Sequence, residues 1–91
     1  MKKVSMIERL DGFRFRFHFS DDTVGAFDFH GEVMSTRSVV EPLRDTNYFA
    51  RVFIEDGAPT WSNGFDVAPD WLRHEIEAAG ALETSSASVA V

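Results

Sequence analysis

The side chains able to bind metal or move protons are three histidines, His18, His30 and His74, and fifteen carboxylates. No two histidines fall at the i, i+4 spacing of a helix or the alternating spacing of a strand that metal pairs use, so no metal site and no cofactor is expected. Nucleophilic catalysis needs a hydroxyl or thiol beside a base, yet the chain has no cysteine and no serine in a Gly-x-Ser-x-Gly elbow. The six glycines are spread singly, which excludes a phosphate-cradling loop. The adjacent acids Asp21-Asp22 and Glu55-Asp56 lie in turn-forming sequence, where water leaves a carboxylate an ordinary acid. Asp28 and Asp66 differ because each adjoins aromatic residues. At a core edge an unpaired carboxylate costs several kcal/mol, so each is expected to cap backbone N–H groups or to meet a ligand or partner. No catalytic residue is assigned, and the chain is not expected to be an enzyme.

The remaining charged constellation depends on the element that carries it. Residues 13–19 read Phe-Arg-Phe-Arg-Phe-His-Phe, an unbroken alternation. On a strand it places Phe13, Phe15, Phe17 and Phe19 on a core face and Arg14, Arg16 and His18 on a wet face. That basic stripe is a candidate interaction surface and the raw material of a nucleic-acid contact, unless acids on neighbouring strands, such as Glu8 or Asp28, neutralise it.

Around this strand the chain predicts an α+β fold. Residues 4–10 form a first strand, Asp11-Gly12 a hairpin turn, Ser20-Asp21-Asp22 a second turn and residues 23–29 a third strand, completing an antiparallel meander. The third strand has ambiguous phase, since Phe27 and Phe29 share one parity and Val24 and Ala26 the other; Gly25 suggests a bulge. Residues 30–40 read as a loop with a short strand or bridge at Val39-Val40. Asp45 is placed to cap a short helical turn that sets Phe49 against the sheet. Residues 51–61 read as a second hairpin turning at 55–58. Residues 69–79 form a helix with Leu72, Ile76 and Ala79 on one stripe, stopped by Gly80. One domain over residues 1–80 is expected, with residues 81–91 a flexible tail of small residues without period.

Nine phenylalanines, two tryptophans and one tyrosine are many for 91 residues, and each buried aromatic contributes about 1.5–3 kcal/mol. They offset the poor surface-to-volume ratio of a small domain. A formal net charge of −6 opposes nonspecific attraction to nucleic acid and anionic lipid. No apolar run approaches the roughly 20 residues of a membrane span. The absence of cysteine is compatible with a reducing compartment, and a soluble cytoplasmic protein without a membrane partner is expected.

The densest local signal runs from Thr60 to Asp70: a tryptophan, an Asn-Gly turn dipeptide, Asp66, and Pro69 suited to the first turn of a helix. With the Glu41-Pro42-Leu43-Arg44-Asp45 step, Tyr48-Phe49 and the β-rich first third, this Trp-x-Asn-Gly-x-Asp core resembles a small bacterial family, domain of unknown function 2442. The resemblance spans residues 4–79. It implies an α+β fold like the N-terminal domain of a nitrosomonad representative, in which a meander and a second hairpin pack with short helices. It implies little chemistry. Some relatives carry an attached helix-turn-helix, for which nothing after Gly80 is suited, and others resemble partners of small neighbouring proteins in toxin–antitoxin-like pairs. Two departures matter. Asp22 replaces the family's usual glycine in the second turn, and Ala68 stands where relatives often carry a capping Ser or Asp, leaving Asp66 to take over part of that role. Trp61, Asn63, Gly64 and Asp66 are expected to be architectural, because turn and cap chemistry accounts for each.

The expected function is therefore that of a non-catalytic protein-interaction or regulatory module, acting with a protein partner or as a homo-oligomer. The alternatives are a nucleic-acid accessory protein using Arg14, Arg16 and His18, and a small-ligand binder or enzyme near Trp61 and Asp66 that recruits Asp28 and a histidine.

Overall fold

Alternation over residues 13–19 does build the central strand of a meander. A computed structural model describes residues 3–84 of the chain. β1 (Val4–Arg9), β2 (Arg14–Phe19) and β3 (Thr23–Asp28) pair antiparallel in that order. Phe15, Phe17 and Phe19 are buried, and Phe13 packs half-buried at the same margin. Phe17 faces Gly25 across β3 and Phe15 faces Phe27, so β3 turns Gly25 and Phe27 to the core and Val24 and Ala26 to the wet side. The bulge expected at Gly25 is not there; the register shift lies in β1, between Val4 and Met6. Gly25 is required instead because α3 (Pro69–Ala78) lies against it: a Cβ at 25 would overlap Ile76.

Residues 30–44 are more ordered than their sequence suggests. α1 (His30–Val33) and a 3-10 helix (Ser38–Arg44) occupy the expected loop, and neither is long enough to show a hydrophobic period. Both bury apolar residues, Val33 in the first and Val40 and Leu43 in the second. Arg44 ties them together, donating through Nε to the Val33 carbonyl (2.7 Å) and through Nη2 to that of Ser35 (2.8 Å). Asp45 then caps α2 (Thr46–Phe49) by accepting from the Asn47 N–H at 2.9 Å, as its sequence position predicts.

The core is an aromatic stack that joins the meander to the Trp61 corner. Phe49 lies flat on Phe15, with ring centroids 4.4 Å apart and 11° between planes, and continues onto Trp61 at 5.7 Å. Phe29 meets Phe15, Phe17, Phe49 and Trp61 edge-on. Offset stacking and edge contacts of this kind add about 0.5–1.5 kcal/mol per pair beyond burial. Leu72 and Ile76 of α3 close the core.

β4 (Phe53–Glu55) and β5 (Ala58–Thr60) form the second hairpin, and its turn is fastened to the meander where the Val4 N–H donates to the Gly57 carbonyl (2.8 Å). Beyond α3, Gly80 takes φ +70° and ends the helix. The chain does not leave the domain at that point. Ala81 and Leu82 pack against the core, and β6 (Glu83–Thr84) adds a fourth strand beside β3. The rest of the expected tail, residues 85–91, lies outside the described residues.

Candidate functional site

Each sequence-derived candidate lands in a definite place. Arg14, Arg16 and His18 share the wet face of β2, as their spacing requires, but acids accompany all three. His18 Nε2 lies 2.5 Å from Glu8 Oε2, Arg14 Nη1 lies 2.8 Å from Asp11 Oδ1, and Arg16 stands opposite Glu8 in register. The hydrogen bond from His18, with the charges of His18 and Arg16 behind it, holds the Glu8 carboxyl below its ordinary range. The stripe is a charge-balanced strand face rather than a cationic groove.

The three histidines do not converge. His18 is on that face, His30 opens α1 beside the Phe13 ring, and His74 is exposed on α3. Among the described residues no group of three or more His, Cys, Asp or Glu side chains gathers. Asp28 and Asp66 also stand apart, and both are exposed rather than set in the core edge. Asp28 accepts from the His30 backbone N–H at 2.9 Å, which is a turn-capping role. Asp28 lines a surface hollow together with His30, whereas Asp66 lines a different one that has no histidine among its lining residues.

The Trp61 corner is built by its own backbone. Trp61 N–H donates to the Phe65 carbonyl (2.8 Å) and Gly64 N–H to the Trp61 carbonyl (3.0 Å), a loop that needs Gly64 at φ +92°. Asn63 works in two directions. Its Oδ1 accepts from Phe65 N–H (3.1 Å), and its Nδ2 reaches 24 residues back to the Val39 carbonyl (2.8 Å). Trp61 is 1% exposed and donates its indole N–H to the Phe49 carbonyl at 2.9 Å. Asp66 pairs with Thr60 through a β-bridge. Its carboxylate does not cap α3, whose N-terminus at Ala68 has no side-chain cap. Asp66 stands two residues before the N-cap position, Ala68, so its side chain is not placed where a cap is made.

Beside this corner, on its solvent side, lies a hollow of about 360 Å3. Trp71 and Phe65 contribute its aromatic walls, and Glu32, Arg37 and Asp66 its charged groups, with Val67 beneath. Trp71 is 40% exposed and is held edge-on by Phe27 at 5.6 Å. The Arg37 guanidinium lies over the Phe65 ring, 5.5 Å from its centroid, a cation–π contact. Among the described residues the Glu32, Arg37 and Asp66 side chains make no hydrogen bond or ion pair with the protein, so their polar capacity is unspent. The arrangement can bind and orient a group that offers apolar surface and charge together.

Of these residues the sequence singled out Asp66 as a ligand or partner contact. Glu32 and Arg37 come from the region that carries no periodicity. Trp71 did leave a signal: it sits one position off the Leu72–Ile76 stripe, where a large aromatic on an amphipathic helix faces away from the core. A second hollow of about 260 Å3, floored by Asp11, Phe13, Arg14, Asp28 and His30, holds groups already engaged with one another. Among the described residues no helix is long and apolar enough to cross a membrane. In comparisons with known proteins, the chain matches no family model, no curated protein and no solved structure.

Proposed function

We propose that this chain is a non-catalytic protein-interaction module that receives a segment of a partner protein in the hollow between Trp71 and Phe65. The observation that carries this reading is a partly exposed tryptophan beside three charged side chains that have no hydrogen-bonding partner among the described residues. Tryptophan and arginine are the residue types that dominate binding energy at protein interfaces. The net charge of −6, with Glu32 and Asp66 at the hollow, favours a partner segment that is basic and carries an aromatic or aliphatic anchor. The resemblance to domain of unknown function 2442 extends the reading to a small neighbouring protein of a toxin–antitoxin-like pair as that partner. Affinity capture from host extract, run in parallel with wild type and Trp71→Ala, tests it. A protein retained by the wild type and lost with Trp71→Ala is expected; identical retention by both would overturn the assignment of the hollow.

The volume of the hollow favours one second reading. About 360 Å3 lies within the range of small-molecule sites. A cationic metabolite with an apolar face fits the same walls. A thermal-shift series with amines and guanidines separates the two, because only this reading expects a saturable rise in Tm that Trp71→Ala removes.

A further inference from the structure

The Arg37 guanidinium carries an inference that deepens the docking reading of the hollow and rests on it. An arginine side chain has five N–H donors, yet among the described residues none of those of Arg37 meets an acceptor. The group lies instead on the face of Phe65, 5.5 Å from the ring centroid. Glu32 and Asp66 line the same hollow, but neither carboxylate is near enough to close an ion pair with it.

The backbone that bears Arg37 is fixed on both sides. Arg44 donates to the Val33 and Ser35 carbonyls before it (2.7 and 2.8 Å), and the Arg37 carbonyl accepts from Val40 N–H (3.3 Å). Beyond it, Asn63 Nδ2 donates to the Val39 carbonyl (2.8 Å). The part left free to move is the exposed side chain itself. On an exposed ring face a cation–π contact shifts an equilibrium by a factor of only about two to five. A firmly held stem thus carries a loosely held cation, which an incoming group can displace without disturbing the fold.

Charge decides what displaces it. An anion would take up the unused donors of Arg37, but it would enter beside Glu32 and Asp66 in a chain of net charge −6. A cation is attracted by both carboxylates and meets a ring face on which a guanidinium already rests. The newcomer and Arg37 compete for that face, so entry of one requires departure of the other. Arginine suits the place better than lysine, because its planar guanidinium is weakly hydrated and stacks on rings, whereas an ammonium keeps its water. Its aliphatic stem finds apolar surface on Trp71, the other aromatic wall of the hollow.

We propose that the Phe65 face is an arginine-binding subsite, and that Arg37 covers it in the free protein as an internal stand-in which an arginine of the partner segment displaces. Arg37 thereby sets specificity, since a segment with no cation to replace it leaves the ring covered. Two capped peptides test this: Leu-Gly-Arg-Gly-Leu, and the same peptide with the neutral isostere citrulline for arginine, each titrated into isotope-labelled protein and followed by NMR. In the free protein the Arg37 Nε–H and side-chain methylenes are expected upfield, shielded by the Phe65 ring. Saturation with the arginine peptide is expected to return them to the positions of an unshielded arginine, and citrulline to weaken binding about tenfold. Arg37→Ala breaks no side-chain hydrogen bond or ion pair among the described residues. It is expected to leave the circular dichroism spectrum unchanged and to tighten the arginine peptide about two- to fivefold. Glu32→Gln with Asp66→Asn is expected to weaken it. Equal or weaker binding by Arg37→Ala overturns the proposal, as do Arg37 resonances that stay shielded at saturation, equal affinity for the citrulline peptide, or no binding of the arginine peptide. Failure of the docking reading looks different, because Trp71→Ala then leaves capture of the partner unchanged. A partner lost with Trp71→Ala but bound equally by wild type and Arg37→Ala upholds docking and overturns the displacement alone.

Discussion

Gly25 and Ile76 set how closely α3 lies on the meander. Ile76 Cγ2 occupies the place where a β-carbon at position 25 would project, and the Ala81 carbonyl stands 3.3 Å from the same point. Gly25→Ala is expected to destabilise the domain by about 1–3 kcal/mol through overpacking. Ile76→Ala is expected to cost about 2–5 kcal/mol by emptying a fully buried site. The double variant should cost less than the sum, because removing the Ile76 side chain vacates the space the new methyl needs. Urea denaturation of the four proteins measures the coupling, and strict additivity would show that the helix simply lifts off the sheet.

The turn between β2 and β3 is clamped to the same helix. Arg73 Nη1 lies 2.8 Å from Asp21 Oδ2, its Nε 2.9 Å from Glu77 Oε1, and its guanidinium covers the Phe19 ring. The Thr23 hydroxyl first, with Arg73 and the Thr23 backbone N–H also contributing, holds the Asp21 carboxyl far below the usual carboxylate range. A group whose folded value is depressed contributes stability that is fully present above its unfolded value of about 4, and loses it as pH falls toward the folded value. Asp21→Asn should therefore lower Tm at pH 7, and the gap to wild type should narrow as the pH is taken from 4 down to 2. A gap independent of pH would mean that the carboxylate charge plays no part in the clamp.

Helix α3 starts without a side-chain cap although Ala68 has the extended backbone, φ −62° and ψ 126°, that a capping residue adopts. Ala68→Ser is expected to stabilise the protein by about 1 kcal/mol by giving an orphan N–H a partner. That corresponds to roughly 4–8 °C in Tm for a domain of this size. Scanning calorimetry checks it. No gain would indicate that Asp66, displaced from the capping position in this structure, reaches the helix in solution.

Long-range order in this fold was legible where a short period repeats and illegible where it does not. The Phe13 to Phe19 alternation dictated a strand and its buried face, and Leu72 with Ile76 dictated the helix side, because burial of a stripe is forced by geometry alone. The phase of β3 was not legible: Gly25 is explained by Ile76, 51 residues later, and no local pattern encodes that meeting. Residues 30–44 hide their helices because four to seven residues are too few for a helical period, and their order comes from Arg44 binding carbonyls and from buried Val33, Val40 and Leu43. For the same reason the sequence pointed to the hollow through Asp66 and not through its full lining. Glu32 and Arg37 reach it by way of the tertiary fold, whereas Asn63 and Gly64 declared their turn outright.

Asn63 and Trp71 separate architecture from recognition. Asn63 spends its amide on the Val39 carbonyl and on Phe65 N–H, holding the 3-10 region to the corner, and it does not line the hollow. Asn63→Ala deletes two hydrogen bonds and is expected to cost about 1–3 kcal/mol. Trp71 lies across the hollow with 40% of its surface in water, so Trp71→Ala should cost less stability than removal of a core aromatic, which takes about 3–5 kcal/mol. In a binding assay at a temperature where both variants remain folded, Asn63→Ala should retain the partner and Trp71→Ala should lose it. The two tryptophans supply the control: Trp71→Phe leaves the buried Trp61 as the only emitter, with blue-shifted fluorescence resistant to iodide, and Trp61→Phe leaves the exposed one, red-shifted and readily quenched. Quenching of both alike would place Trp61 in water, contradicting the stack on Phe49 that fastens the corner to the sheet.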